Sequence, residues 1–204
     1  MSVVEGLGMS AAGRARPGVV ALSGPPASGK STVAPRLATR LGPRSVCLEG
    51  DWFWTTITAG FIEPWRPEAD GQNRAVLRAG FAAAAELATG GFAVVVDGVL
   101  GPWHLPAVTG LLAERGVDLD YVVLRADLAT TLGRAAARAG DAPRVPGNPP
   151  LADTGPIRAL WEQFGDLGAH ERHVVDTTDL DAAATVDAVT AGLVAARFRV
   201  DAPR

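Results

Sequence analysis

Read for its alternation of apolar and polar positions, the chain breaks into short apolar runs separated by longer stretches of helical period. The runs fall at 19–23 (VVALS), 45–49 (SVCLE), 92–96 (FAVVV), 119–124 (LDYVVL) and 173–175 (HVV). The first and third carry too few polar residues for a solvated face, as strands of a parallel sheet covered on both sides do. Helices are predicted over 33–41, 72–89, 105–115, 128–139, 157–167 and 182–198, with stop signals at Gly42-Pro43 and Gly90-Gly91. The segment 140–156 holds five prolines and three glycines, which predicts a long irregular loop. Residues 1–17 lack apolar periodicity and read as a mobile tail, and 199–204 as a frayed C-terminal tail. The stretch after Asp51 has no clear period and reads as irregular.

Strands alternating with helices predict right-handed crossovers and a doubly wound α/β sheet of five parallel strands, forming one domain over 18–198. Ligands of such sheets bind at the carboxyl ends of the strands, so the segments that directly follow them should meet in space. These are Gly24 to Ser31, Asp51, Asp97 and Asp176. The first carries a motif. Gly24-Pro25-Pro26-Ala27-Ser28-Gly29-Lys30-Ser31 fits the phosphate-binding loop G-x-x-x-x-G-K-[ST], preceded by a strand and followed by the helix over 33–41, with Gly24 to Thr32 as the candidate nucleotide-binding residues. Such a loop wraps a polyphosphate in main-chain N–H groups, reinforced by the positive end of the helix. Lys30 would hold the β- and γ-phosphates, and the Ser31 hydroxyl would ligate Mg²⁺. Lys30 is the only lysine among 19 basic residues, the rest being arginine. A compact ammonium is not interchangeable with a planar guanidinium among phosphate oxygens.

With these parts in this order, the chain resembles the P-loop small-molecule kinases of the nucleoside-monophosphate-kinase type, and within them the chloramphenicol phosphotransferase-like group. Gluconate and shikimate kinases are more distant likenesses. The resemblance covers about residues 18–197 and rests on the phosphate loop, Gly50-Asp51 and Asp176-Thr177-Thr178. It implies strand order 2-3-1-4-5, ATP or GTP as cosubstrate, and a lid at about 140–156. It implies that Asp51 is the carboxylate that receives the proton of the acceptor hydroxyl; the alternative is a helix cap. Glu49 is a weaker substitute. Asp97 matches the carboxylate that holds Mg²⁺ or its water, with a turn role before Gly98 as the alternative. Arg134 and Arg138 lie four apart, on one face of the helix entering the lid. The resemblance gives them, and less strongly Arg144, the transferring phosphoryl group. Asp176, Thr177 and Thr178 would lie beside the nucleotide base or else form an Asx/ST turn.

The acceptor side is the most individual part of the chain. Trp52, Phe53, Trp54, Phe61 and Trp65 concentrate five of the eleven Trp and Phe residues in one short stretch, with Arg66 beside them and Trp103 six residues after Asp97. Aromatic faces take ring-shaped, partly apolar ligands, so Trp52, Trp54, Trp65, Arg66 and Trp103 are candidates for binding the acceptor. Core packing is the alternative for each. Too few arginines lie nearby for a gluconate-like acceptor or a nucleoside monophosphate.

Composition narrows the partners. A net charge of −3 offers no electrostatic reason to expect nucleic acid. No apolar run reaches the length of a membrane span, and a leader peptide is not expected, so a cytoplasmic protein without a membrane partner is the expectation. The single Cys47 excludes an internal disulfide. His104, His170 and His173 lack the spacing and company of a metal site and are read as surface or supporting residues. The reading is an NTP- and Mg²⁺-dependent kinase of a small ring-containing molecule, an antibiotic or natural product being the leading acceptor. Its rivals are a nucleotide-hydrolysing switch and a toxin-like or nucleic-acid-end kinase. Nothing in the sequence speaks to oligomeric state.

Overall fold

The computed structural model describes residues 18–138, 140–141 and 151–201. Among them are six strands: β1 (Gly18–Ser23), β2 (Ser45–Glu49), β3 (Ala93–Asp97), β4 (Asp118–Arg125), β5 (Val174–Asp176) and β6 (Arg199–Val200). The helices are α1 (Lys30–Leu41), α2 (Asp51–Thr55), α3 (Asp70–Thr89), α4 (Leu105–Glu114), α5 (Leu128–Ala137), α6 (Thr154–Gln163) and α7 (Ala182–Val194). The first five strands are parallel in the order β2-β3-β1-β4-β5, as expected.

Strand alternation divides the core into two layers. Val19 and Ala21 of β1 face a cluster with Phe81, Ala84 and Ala88 of α3 and Val108 and Leu112 of α4. Val20 and Leu22 face Val33, Leu37 and Leu41 of α1 and Val186, Val189 and Leu193 of α7. The spacing of three or four between those helical residues is what turns one stripe of each helix onto the sheet. With both faces covered, β1 is buried along nearly its whole length, and its C-terminal end becomes a fixed platform for the phosphate loop. Truncating Phe81, 2% exposed, to alanine would cost about 3–5 kcal/mol of that platform.

Three expectations need correction. Residues 199 and 200 are not a frayed tail but strand β6, antiparallel to β4. The cause is electrostatic: Asp120 of β4 is buried, and Arg199 supplies its counter-charge at 3.1 Å while also bonding Asp118. A buried carboxylate without such a cation would be strongly destabilising. The last helix accordingly stops at Val194, short of 198. The chain reverses through Ala196 at φ 52, Arg197 N–H bonds the Gly192 carbonyl at 2.9 Å, and Phe198 turns back onto Gly192. Second, the stretch opening at Asp51 is a short helix, α2, held by Phe53, whose ring lies against Gly80 of α3. Third, Thr154 to Pro156 are the first turn of α6, capped by Asp153, rather than lid. The tail 1–17, most of the expected lid and Arg144 lie outside the described residues.

Candidate active site

Glycine is required where β1 runs into the loop. Gly24 has φ 137, and a β-carbon there would stand 2.1 Å from the Leu124 carbonyl oxygen of β4. Gly29, which precedes α1, has φ 99. Between them Ala27 sits in the left-handed region at φ 62, a cost offset by burying its methyl against Ala135 of α5 and Ile157 of α6. Ser28 is buried beneath the loop, where its carbonyl accepts from Thr177 Oγ1 at 3.4 Å. Pro25, Pro26 and Ala27 thus form an arch supported from α5, α6 and the β5–α7 connection.

Lys30 is 8% exposed, and its Nζ donates to the carbonyls of Gly24 at 3.0 Å and Pro25 at 2.8 Å. Burial pushes the ammonium below its usual range; the charges of Asp97 and Asp51 pull it back up, and that of Arg138 lowers it further. One lysine therefore feels three of the charged groups singled out from sequence.

Asp97 ends β3, opposite Leu22 of β1 and Glu49 of β2. It is 5% exposed, and burial pushes its carboxyl above the ordinary carboxylate range; Lys30 and a hydrogen bond with Ser31 pull it down, while Asp51 and Glu49 push it up. Asp97 Oδ1 is buried with no hydrogen-bond partner among the described residues. An orphaned carboxylate oxygen beside a serine hydroxyl at the head of α1 is a donor set that suits Mg²⁺ or its water, so Ser31 and Asp97 fit that ion. Glu49 is a residue that sequence reasoning undervalued. Cross-strand pairing, which a single strand's alternation cannot reveal, places it opposite Asp97 and brings a third carboxylate to the rim.

Asp51 is exposed and is the first residue of α2, whose cap is Gly50. Gly50 N–H donates to the Asp97 carbonyl at 2.6 Å, locking the end of β2 to the end of β3. The two arginines at the C-terminal end of α5 have different surroundings. Arg134 is spent on structure, donating to Thr177 Oγ1 at 3.3 Å and the Thr177 carbonyl at 2.8 Å. Arg138, just past α5, acts on Lys30, and its Nε is buried with no hydrogen-bond partner among the described residues. Asp176 accepts from Thr178 N–H at 2.9 Å and Thr178 Oγ1 at 2.7 Å, the Asx/ST turn of the alternative reading. Thr178 Oγ1 also accepts from Asp127 N–H at 3.0 Å. That turn ties the β4–α5 and β5–α7 connections together. Thr32 is exposed on the first turn of α1.

The aromatic candidates separate. Trp54 is half-buried and lines a small cavity behind Gly50 with Phe81 and Leu100. Trp52 and Trp65 are about half exposed, and Arg66 pairs at 3.1 Å with Glu63 in solvent, a contact worth little. Their loop is pinned by α3: Gln72 bonds both main-chain groups of Ile62, and Asn73 donates to the Pro64 carbonyl at 2.7 Å. Trp103 packs over Gly101 and against Phe164, ring centroids 5.8 Å apart. His173 is not a surface residue: it is buried, its Nδ1 lies 2.8 Å from the Tyr121 carbonyl, and burial lowers its pKa.

A family model described as an AAA domain matches residues 19–153. The chain belongs to that family. No curated protein sequence matches this AAA-domain chain, whereas solved structures align with it almost end to end. The tunicamycin resistance protein of Deinococcus radiodurans is 16% identical with a TM-score of 0.61, over 87% of this chain and 96% of its own. The Mycobacterium tuberculosis APS kinase CysC, in complex with AMPPNP and APS, is 22% identical with a TM-score of 0.59, over 88% and 98%. A gluconokinase from Sinorhizobium meliloti 1021 is 20% identical with a TM-score of 0.58, over 90% and 95%. The fold of this AAA-domain chain is that of the P-loop small-molecule kinases. Among its described residues, no helix is long and apolar enough to cross a membrane.

Proposed function

We propose that the protein is a kinase that moves the γ-phosphoryl group of ATP or GTP to a hydroxyl of a small ring-containing molecule. The observation that carries this reading is the buried Lys30, its Nζ held on the Gly24 and Pro25 carbonyls of the phosphate loop, with Asp97 buried at the end of the neighbouring strand β3 and the charges of Asp51 and Arg138 also acting on the ammonium. Phosphoryl transfer is chiefly positioning and charge stabilisation, so it needs cations aimed at the phosphates and a carboxylate beside the acceptor.

In this mechanism, main-chain N–H groups of Ala27 to Thr32 cradle the phosphates, and Lys30 exchanges its own loop carbonyls for phosphate oxygens. Ser31 and Asp97 would hold Mg²⁺, which would supply neutralisation of phosphate charge. Asp51 accepts the proton of the acceptor hydroxyl as its oxygen bonds to the γ-phosphorus. The bond from that phosphorus to the bridging oxygen breaks, and the nucleoside diphosphate leaves. Arg138 stabilises the charge on the moving phosphoryl group. Arg134, through Thr177, shapes the wall on which the base rests, together with Asp176 and Thr178.

The structural neighbours named for APS, gluconate and tunicamycin take unrelated acceptors or resistances on one fold, so fold alone does not choose the acceptor. The tryptophans and the scarcity of basic residues on the acceptor side favour an uncharged, partly apolar alcohol such as an antibiotic or related natural product. A cytoplasmic location goes with a nucleoside triphosphate cosubstrate.

The test is a screen of hydroxyl compounds with ATP or GTP and Mg²⁺, read by a mass gain of one phosphate on the acceptor. Acceptor-stimulated turnover with a phosphorylated product is expected. Brisk hydrolysis indifferent to every acceptor would replace the kinase with a nucleotide-driven switch. Transfer to oligonucleotide ends would instead identify a nucleic-acid kinase.

A further inference from the structure

The arch of the phosphate loop is held from behind at two successive residues. At Ala27, φ is 62 and the methyl is buried against Ala135 of α5 and Ile157 of α6. At Ser28, which is 1% exposed, the carbonyl meets the hydroxyl of Thr177, itself 2% exposed. Thr177 is fixed by its own main chain. Its N–H donates to the Arg125 carbonyl at the end of β4 at 2.9 Å, and its carbonyl accepts from Arg134 Nη2 at 2.8 Å. The Thr177 hydroxyl is therefore committed to the underside of the loop, which leaves the exposed Asp176 and the half-buried Thr178 as the side chains of this turn open to a nucleotide base.

Hydrogen-bond accounting fixes the direction of that hydroxyl. A threonine side chain has one proton to give. Arg134 Nη1 donates to Thr177 Oγ1 at 3.3 Å, which occupies a lone pair and leaves the proton for the Ser28 carbonyl at 3.4 Å. The described residues contain no cis peptide bond, so a Ser28 carbonyl drawn back toward Thr177 turns the Gly29 N–H of the same peptide unit to the opposite side. That N–H has no main-chain acceptor among the described residues, while the Gly29 carbonyl is committed to α1, accepting from Val33 N–H at 3.1 Å. Gly29 N–H is thus aimed away from Thr177, toward the face of the loop that a phosphate oxygen would meet.

We propose that Thr177 is a positioning residue for the polyphosphate: its hydroxyl, with the proton directed by Arg134, sets the Ser28–Gly29 peptide so that Gly29 N–H is presented to a phosphate oxygen. The proposal rests on the reading of this loop as a nucleoside triphosphate site and adds a role for Thr177 that contact with the base does not contain. It is independent of the acceptor.

Titration calorimetry of the full chain with Mg²⁺ compares ATP with inorganic tripolyphosphate, which carries the phosphates and no base. Thr177→Val keeps the side-chain volume and both main-chain bonds and removes only the hydroxyl. It should weaken both ligands by the same factor, about three- to tenfold, the scale of one neutral hydrogen bond. Thr177→Ser, which restores the hydroxyl, should bind both within about twofold of the parent. Thr177→Val combined with Arg134→Ala should bind tripolyphosphate no more than about twofold more weakly than the weaker single variant, because both changes break one chain. A loss confined to ATP would make Thr177 a base contact and overturn the proposal, as would an unchanged tripolyphosphate affinity, a serine variant as weak as the valine, or additive losses in the double variant. If Thr177→Val does not fold, Thr177→Ala, which only removes atoms, makes the same comparison. No acceptor enters these measurements, so a barren acceptor screen removes the kinase reading and leaves this result standing. A parent chain that binds neither ligand removes the triphosphate site and the proposal together.

Discussion

Gly24→Ala and Gly29→Ala look alike in sequence and should behave very differently. At Gly24 the new β-carbon would lie 2.1 Å from the Leu124 carbonyl oxygen, where real β-carbons keep at least 3.0 Å. Leu124 is main chain in the middle of the sheet and fully buried, so the phosphate loop must move by about 1 Å. Forcing alanine to a strongly positive φ costs on the order of 1–3 kcal/mol. Overpacking against a fixed wall adds about 1–3 kcal/mol. At roughly 2–4 °C per kcal/mol for a domain of this size, the melting temperature should fall about 5–20 °C. At Gly29 the φ is 99 and nothing lies within 4 Å of a β-carbon, so only the conformational cost remains, a fall of about 2–12 °C. Calorimetry on both variants, with and without ATP and Mg²⁺, makes the comparison. In the parent chain, nucleotide at a hundred times its Kd should add about 2.7 kcal/mol of stability, and Gly24→Ala should lose most of that increment. Equal melting temperatures for the two variants, or a Gly24→Ala protein as stable as the parent, would refute the close-approach explanation of this glycine.

Lys30→Ala should reduce nucleotide turnover to background in a coupled assay; retained turnover removes the kinase mechanism. Asp51→Asn should lower kcat at least tenfold with the KM for nucleotide nearly unchanged, the pattern of a lost general base; unchanged kcat would transfer the role to another carboxylate at the rim. Arg138→Ala should lower kcat about 10²-fold or more with little change in melting temperature. Arg134→Ala should instead lower the melting temperature by a few degrees and raise the KM for nucleotide, because its bonds go to Thr177; identical phenotypes would show that the two surroundings do not matter. Glu171 is held below the usual carboxylate range by its hydrogen bonds with Arg125, and Asp176 by those from Thr178. The stability they contribute is complete above their ordinary pKa near 4 and is lost as pH falls through the depressed folded-state values. Denaturant midpoints should therefore drop below about pH 4, and Glu171→Gln should flatten that drop; a midpoint independent of pH in that window would contradict the pairing.

The alternation of parallel strands with helices and the phosphate loop were legible in the chain because both are carried by local signals, whereas the strand order 2-3-1-4-5 followed only from the resemblance to P-loop kinases. Five apolar runs at helix-length spacing leave few topologies open, and the loop declares itself through two glycines and a lysine at set intervals. The strand-end rule also reached Asp51 and Asp97 without coordinates. What tertiary structure decided is everything that depends on which neighbour a side chain meets. Arg134 and Arg138 are equivalent by helical spacing, yet one lies against Thr177 and the other near Lys30. Glu49 joins the rim only because β2 pairs with β3 in a particular register. Trp54 is set apart from Trp52 and Trp65 by its partial burial and its place in the lining of the small cavity behind Gly50. Residues 199 and 200 become a strand because the buried carboxylate of Asp120 needs the guanidinium of Arg199, some eighty positions away. Local propensity is written along one dimension, whereas desolvation and charge compensation act between groups that only the folded chain brings together.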